Sequence, residues 1–116
     1  MLKISMETII EQAKSAQTEF EKAEQEVVDE LITGLAWALI NPETNLSLSN
    51  QAVKDTGLGN SADKFNKNYR KTLGLLRDLK NAPSVGVIKE IPHKGLVEIA
   101  RPVGIVGAVT PSTNPI

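Results

Sequence analysis

The stretch Val103 to Val109 constrains the fold more than any other part of the sequence. It is apolar apart from the small residues Gly104, Gly107 and Ala108. That is the length and residue choice of a strand buried on both faces, as parallel strands are. It gives way at once to Thr110, Pro111, Ser112, Thr113, Asn114 and Pro115, a polar loop with two prolines. A strand of this kind delivers hydroxyls and an amide to its carboxyl end, where open α/β sheets bind their ligands. No helix or second strand follows to complete a βα unit, so the 116 residues are expected to be the front part of something larger.

Composition narrows the function classes. With one Trp, one Tyr and two Phe, a core must be built from Leu, Ile, Val and Ala. The formal net charge is -1 and the basic residues form no stripe, so the electrostatic footprint of a nucleic-acid binder is missing. There is no cysteine, which excludes disulfides, cysteine-ligated metal and a thiol nucleophile within these residues. No basic head precedes an apolar run at the N-terminus, and no run is long enough for a membrane span. The expectation is a cytoplasmic protein with no membrane or metal site.

Helical periodicity dominates up to residue 82. Ser5 can cap a helix in which Ile9, Ile10, Ala13, Ala16 and Phe20 recur at three- and four-residue steps. Val27, Val28, Leu31, Ile32, Leu35, Ala36, Leu39 and Ile40 form a second stripe, stopped at Asn41-Pro42. Trp37 lies off that stripe and is read as a packing anchor. A third helix starts at Pro42 with a weaker apolar face of Leu46, Leu48, Ala52 and Val53, and ends at Thr56-Gly57-Leu58-Gly59. Asn60 or Ser61 can cap a fourth, carrying Phe65, Tyr69, Leu73, Leu76 and Leu79. Its polar face, with Lys64, Lys67, Arg70, Lys71 and Arg77, reads first as a solvated surface and second as an attractor of an anion or a neighbouring subunit.

Past Pro83 the periodicity changes. Val85, Val87 and Ile88 precede a turn at Pro92, His93, Lys94 and Gly95, and Leu96 to Ala100 follow, which predicts an antiparallel hairpin. His93, the one histidine, sits in the turn with no positioned partner and is read as a surface residue rather than a base.

Three stretches together resemble the CoA-acylating aldehyde dehydrogenases, including the aldehyde half of bifunctional aldehyde-alcohol dehydrogenases. Ala52 to Gly59 is similar to the family's A-x-x-E-[ST]-G-x-G, with Asp55 in place of the usual Glu. Asp63-Lys64 with Lys67-Asn68 is similar to its D-K-x-x-K-N. Pro102 to Pro115 is similar to P-x-G-[VI]-[VI]-x-x-[VIA]-x-P-[ST]-T-N-P. The P-S-T-N-P wording separates the acylating branch from ordinary aldehyde dehydrogenases, which resemble P-W-N-F-P here. The likeness runs from about Ile4 onward and corresponds to roughly the first quarter of such an enzyme.

The resemblance implies an α/β fold class: N-terminal helices, a β-hairpin, and the first strand of an aldehyde-dehydrogenase-type, Rossmann-like nucleotide-binding domain. The implied division is a helical segment at 1–82, a hairpin of oligomerisation type at 83–101, and the buried strand with its loop at 102–116. The implied reaction joins an aldehyde, CoA and NAD, with NADP left open, and the implied assembly is a homo-oligomer. A loop amide would steady the thiohemiacetal oxyanion, a role worth about 3 kcal/mol for a preorganised donor. In P-W-N-F-P the amide stands two residues after the proline, whereas Asn114 stands three after Pro111, so counting favours Thr113 and residue chemistry favours Asn114. Val109, Thr110, Pro111 and Ser112 would line the nicotinamide-ribose side. The nucleophilic cysteine is absent, so the isolated residues are expected to be inactive. The rival reading is a non-enzymatic helical interaction or oligomerisation module derived from that family.

Overall fold

The computed structural model of the chain describes residues 4–116. In order, these form α1 (Met6–Phe20), α2 (Gln25–Ile40), α3 (Pro42–Thr56), α4 (Ser61–Leu79), β1 (Gly86–Ile91), a single 3-10 turn at Pro92–Lys94, and β2 (Leu96–Ala100). The residues divide into two compact units whose boundary falls within α2. One runs to Val28 and takes in Pro83–Gly107, and the other joins Asp29–Ala82 to Ala108–Ile116. No described helix is long and apolar enough to cross a membrane.

In the first unit, α1 begins where Ser5, in extended geometry, accepts a hydrogen bond from the Thr8 amide. Backbone hydrogen bonding at Glu7, with a smaller contribution from Ser5, holds the Glu7 carboxyl below its usual range. This cap therefore supports the helix above the ordinary carboxylate range and weakens as pH falls through the lowered value. The apolar stripe of α1 is real, but it is not buried: Ile9 and Ile10 are exposed and α1 contributes no core residue. β1 and β2 pair antiparallel, Gly86 opposite Ala100 and Ile91 opposite Leu96, with a register shift between Val87 and Lys89. Gln25 ties the entry of the hairpin to the first turn of α2. Its Oε1 accepts from the Ser84 amide at 2.7 Å and the Val85 amide at 3.1 Å, and its Nε2 donates to Ser84 Oγ at 3.0 Å. Two backbone donors on one atom identify that atom as the carbonyl oxygen.

One expectation is corrected here. Val103 to Val109 is not a buried strand. The sheet holds only β1 and β2, so no described strand offers the stretch a ladder of hydrogen bonds. Gly104 takes φ 94, and Val103 and Val109 are 90% and 100% exposed. A strand buried on both faces exists only between hydrogen-bonded neighbours and covering layers. Apolar composition alone does not make one.

The second unit is organised by α3 and α4. Asn41, read from sequence only as the end of α2, is the N-cap of α3 and accepts from the Glu43 and Thr44 amides, while Pro42 occupies the first turn. The buried face of α3 is Asn45, Ser49 and Ala52, one stripe at helical spacing, and Leu46 is half exposed. α4 turns Lys64 and Asn68 inward, while Tyr69, Leu73 and Leu79 keep much of their surface open. The apolar faces expected for both helices are thus displaced by a polar one. Asn68 Nδ2 donates to Asn45 Oδ1 at 2.9 Å, Ser49 Oγ donates to the same oxygen at 3.3 Å, and Asn45 Nδ2 donates to the Phe65 carbonyl at 3.0 Å. Buried polar groups are tolerable when all are paired, and among the described residues no buried side-chain nitrogen or oxygen lacks a partner. The buried apolar residues are few: Ala36, Ile40 and Ala52. Trp37 is 62% exposed, so most of its surface packs on no described residue.

Asn45→Ala is expected to destabilise the protein by about 1–3 kcal/mol, because it removes three hydrogen bonds from a buried cluster and leaves the Asn68 amide with only the long contact to Ser49 Oγ at 3.4 Å. A urea denaturation midpoint within error of the wild type would contradict this. At Gly57, the left-handed cap of α3 with φ 66, an added Cβ would meet nothing within 4 Å. The expected cost of Gly57→Ala is therefore purely conformational, about 1 kcal/mol, and Gly57→Asn should recover part of it in the same measurement.

Candidate functional site

The loop that follows Val109 packs in the second unit, and its shape comes from one turn. The Asn114 amide donates to the Pro111 carbonyl at 3.0 Å, so Pro111, Ser112, Thr113 and Asn114 close a four-residue turn. Ser112, a small hydroxyl residue inside it, suits such a turn. The turn fixes the Cα of Asn114, and a second contact fixes its side chain. Lys67 Nζ donates to Asn114 Oδ1 at 2.9 Å, across 47 residues of sequence. Asn114 Nδ2 is then left with Thr113 Oγ1 at 3.5 Å, a long and weak partner.

The helices set this geometry up. Asn60 caps α4 by accepting from the Asp63 amide at 2.8 Å, and its own amide donates to the Asp63 carboxylate at 2.6 Å. The cap begins the helix, and the burial of Asn68 against α3 fixes its rotation. Lys67, one residue earlier, then falls on the neighbouring face, half-buried, beside the loop. A shallow cavity of about 310 Å³ lies there, with Lys67, Lys71, Thr72 and Asn114 among its walls.

The sequence-predicted site residues are thus arranged unequally. Asn114 is tied to α4. Thr113 is exposed and touches only the Asn114 amide by side chain. Val109, Thr110, Pro111 and Ser112 are exposed, and the hydroxyls of Thr110 and Ser112 have no partner among the described residues. Among the described residues no group of three or more His, Cys, Asp or Glu could hold a metal ion. His93, at the exposed hairpin turn, stands in the other unit.

Sequence reasoning placed Lys67 on a solvated helix face, with attraction of an anion or a neighbouring subunit as the second reading, and did not connect it to the loop, although it stands in the quoted D-K-x-x-K-N stretch. The pattern holds its companions as well. Asp63 completes the cap, Asn68 forms the buried link to Asn45, and Lys67 reaches the loop. The A-x-x-E-[ST]-G-x-G counterpart has a different job. Thr56 Oγ1 donates to the Ala52 carbonyl at 2.6 Å and accepts from the Leu58 amide at 3.2 Å, while Gly57 and Gly59 both adopt positive φ. It ends α3 and turns the chain toward the cap of α4, and it contributes no atom to the loop.

No protein-family profile matches the chain. Individual relatives do. The chain is 53% identical over 107 residues to a protein of Cupriavidus necator named sulfoacetaldehyde dehydrogenase (acylating), which covers 92% of this chain and 22% of that protein. It is 38% identical over 114 residues to a succinate-semialdehyde dehydrogenase (acetylating) of Clostridium kluyveri, over 97% of this chain and 24% of the relative. A bifunctional aldehyde-alcohol dehydrogenase of Escherichia coli is 32% identical over 110 residues, which is 95% of this chain and 12% of the relative. The chain therefore spans less than a quarter of the length of these curated relatives. It is homologous to an N-terminal portion of acylating aldehyde dehydrogenases.

Proposed function

We propose that these residues are the N-terminal part of a cytoplasmic, NAD-dependent, CoA-acylating aldehyde dehydrogenase that converts an aldehyde, CoA and NAD to acyl-CoA and NADH. The observation that carries the reading is the likeness to acylating aldehyde dehydrogenases over nine tenths of the chain. Sulfoacetaldehyde and succinate semialdehyde, in the names of two relatives, both bear an anionic group beyond the aldehyde, so a small anionic aldehyde is the first substrate to try.

Within that enzyme, a cysteine outside these residues adds its thiolate to the aldehyde carbonyl and leaves the negative charge on oxygen. NAD, when bound, accepts the hydride that then leaves the carbon, and the CoA thiol displaces the acyl group from the cysteine sulfur. The part played by this segment is electrostatic. The Asn114 amide donates to the oxyanion, and Val109, Thr110, Pro111 and Ser112 form the wall beside the nicotinamide ribose. Of the two candidate donors, Asn114 is favoured by its tether to α4, since a donor helps in proportion to how little it must reorganise. Thr113 has no comparable anchor.

The open apolar surface suits a part of a larger fold. Val103, Val106 and Val109 are each more than 70% exposed, and in the proposed enzyme Val103 to Val109 joins the nucleotide-binding sheet. The hairpin, with Leu96, Val97 and Ile99 each more than half exposed, is the proposed oligomerisation element of a homo-oligomer. The helices up to residue 82 form the N-terminal helical segment of the cofactor-binding domain.

The isolated 116 residues are expected to form no NADH from aldehyde, with or without CoA, because the nucleophile is not among them; measurable turnover would overturn the proposal. In the full-length enzyme, Asn114→Ala should lower kcat by about 10²–10³ and Thr113→Val by no more than about threefold. The reverse ranking in steady-state kinetics would move the donor role to Thr113.

A further inference from the structure

Lys67 and Asn114 meet through atoms whose chemistry leaves one arrangement. An ammonium has three donors and no acceptor. Of the two ends of the Asn114 amide, only the carbonyl oxygen can sit 2.9 Å from Lys67 Nζ as a hydrogen-bond partner. The amide is planar, so placing its oxygen on Lys67 sends its NH2 group the other way. There it has only the long, weak contact to the Thr113 hydroxyl at 3.5 Å.

We propose that Lys67 is a positioning residue that sets the Asn114 amide with its N–H groups, and not its oxygen, toward the reacting oxyanion. The inference rests on the reading of Asn114 as the oxyanion donor. On an exposed loop, an asparagine amide can rotate between two orientations of nearly equal shape. One offers a donor to an anion and the other offers a second negative oxygen. Lys67 removes the second. Its positive charge also polarises the amide it holds, which strengthens the N–H as a donor.

Lys67 is free for this task because its neighbours are engaged elsewhere. Asp63, one turn earlier on α4, keeps its carboxylate on the Asn60 amide at 2.6 Å. Asn68, the next residue, is locked against Asn45 and holds α4 at a fixed rotation. The turn from Pro111 to Asn114 fixes the other end. The Lys67 side chain therefore bridges two anchored backbones.

The test is a double-mutant cycle on kcat in the full-length enzyme, with aldehyde, CoA and NAD. Lys67→Met is expected to lower kcat about tenfold, equivalent to about 1.4 kcal/mol, with KM for NAD and CoA unchanged. Lys67→Arg, which also only donates, should stay within a few-fold of wild type. In an Asn114→Ala background, Lys67→Met should cost nothing more. If Lys67→Met leaves kcat unchanged, or its loss multiplies with that of Asn114→Ala, the positioning role is overturned and the donor role of Asn114 stands. If Asn114→Ala costs nothing, the donor reading fails and the inference with it. Should Lys67→Met not fold, Lys67→Gln carries the same expectation, because its amide can donate or accept and imposes no orientation. A crystal structure of the substituted enzyme is expected to show the Asn114 amide in more than one orientation; one unchanged rotamer would also overturn the proposal.

Discussion

The second unit depends on a hydrogen-bonded knot in which Asn45, Ser49 and Asn68 share one oxygen. Asn45 and Ser49 have no solvent exposure at all, and Asn68 keeps 4%. Such a contact between helices is directional in a way that leucine packing is not. Apolar side chains tolerate a helix rotated or shifted by a fraction of a turn, with modest loss of buried area. An amide that donates at 2.9 Å to a buried oxygen does not tolerate it, because a missed bond leaves a polar group desolvated. The net stability from each bond is small, about 0.5–1.5 kcal/mol. What the knot supplies is a defined rotation of α4 about its own axis.

That rotation has a consequence at the loop. Residues 67 and 68 are adjacent on α4, so their side chains diverge by about 100° around the axis. With Asn68 pinned inward, the Cα–Cβ bond of Lys67 leaves α4 in a fixed direction, and the turn closed by Asn114 lies within reach of its side chain. A buried link between two helices thereby places the cation beside a candidate oxyanion donor. The two asparagines act at different depths. Asn68 sets the helix, and Asn114 takes its orientation from the residue next to Asn68.

The elements were legible in the sequence because local chemistry decides them. Ser5, Pro42, Gly57 and Asn60 start or stop helices by satisfying or terminating backbone hydrogen bonds within a few residues, and Pro92 to Gly95 turn the hairpin in the same way. The buried faces were not legible in this way. Apolar periodicity points to Leu46, Leu48, Ala52 and Val53 on α3; Ala52 is buried as that predicts, but the rest of the buried face is Asn45 and Ser49, whose burial depends on Asn68, 23 and 19 residues away. A polar residue joins a core only when its partner arrives, and no local pattern reports that. Val103 to Val109 forms no strand among the described residues for the converse reason. Its composition suits a buried strand, but pairing and covering layers are properties of other segments.

At the site, the same distinction separates Asn114 from Lys67. The loop residues were visible because P-S-T-N-P is a compact and unusual word. Lys67 was visible only as one letter of a second motif, on a helix face that reads as solvated. Its partner is an oxygen 47 residues away. In this chain the two motifs meet through that contact. D-K-x-x-K-N places an ammonium, and S-T-N-P places an amide within its reach. A lysine can be replaced by arginine in that contact without reversing the amide, whereas a carboxylate at the same position would attract the NH2 group and turn the oxygen outward. The charge sign at residue 67 thus decides whether Asn114 offers a donor or an acceptor to whatever binds beside the loop.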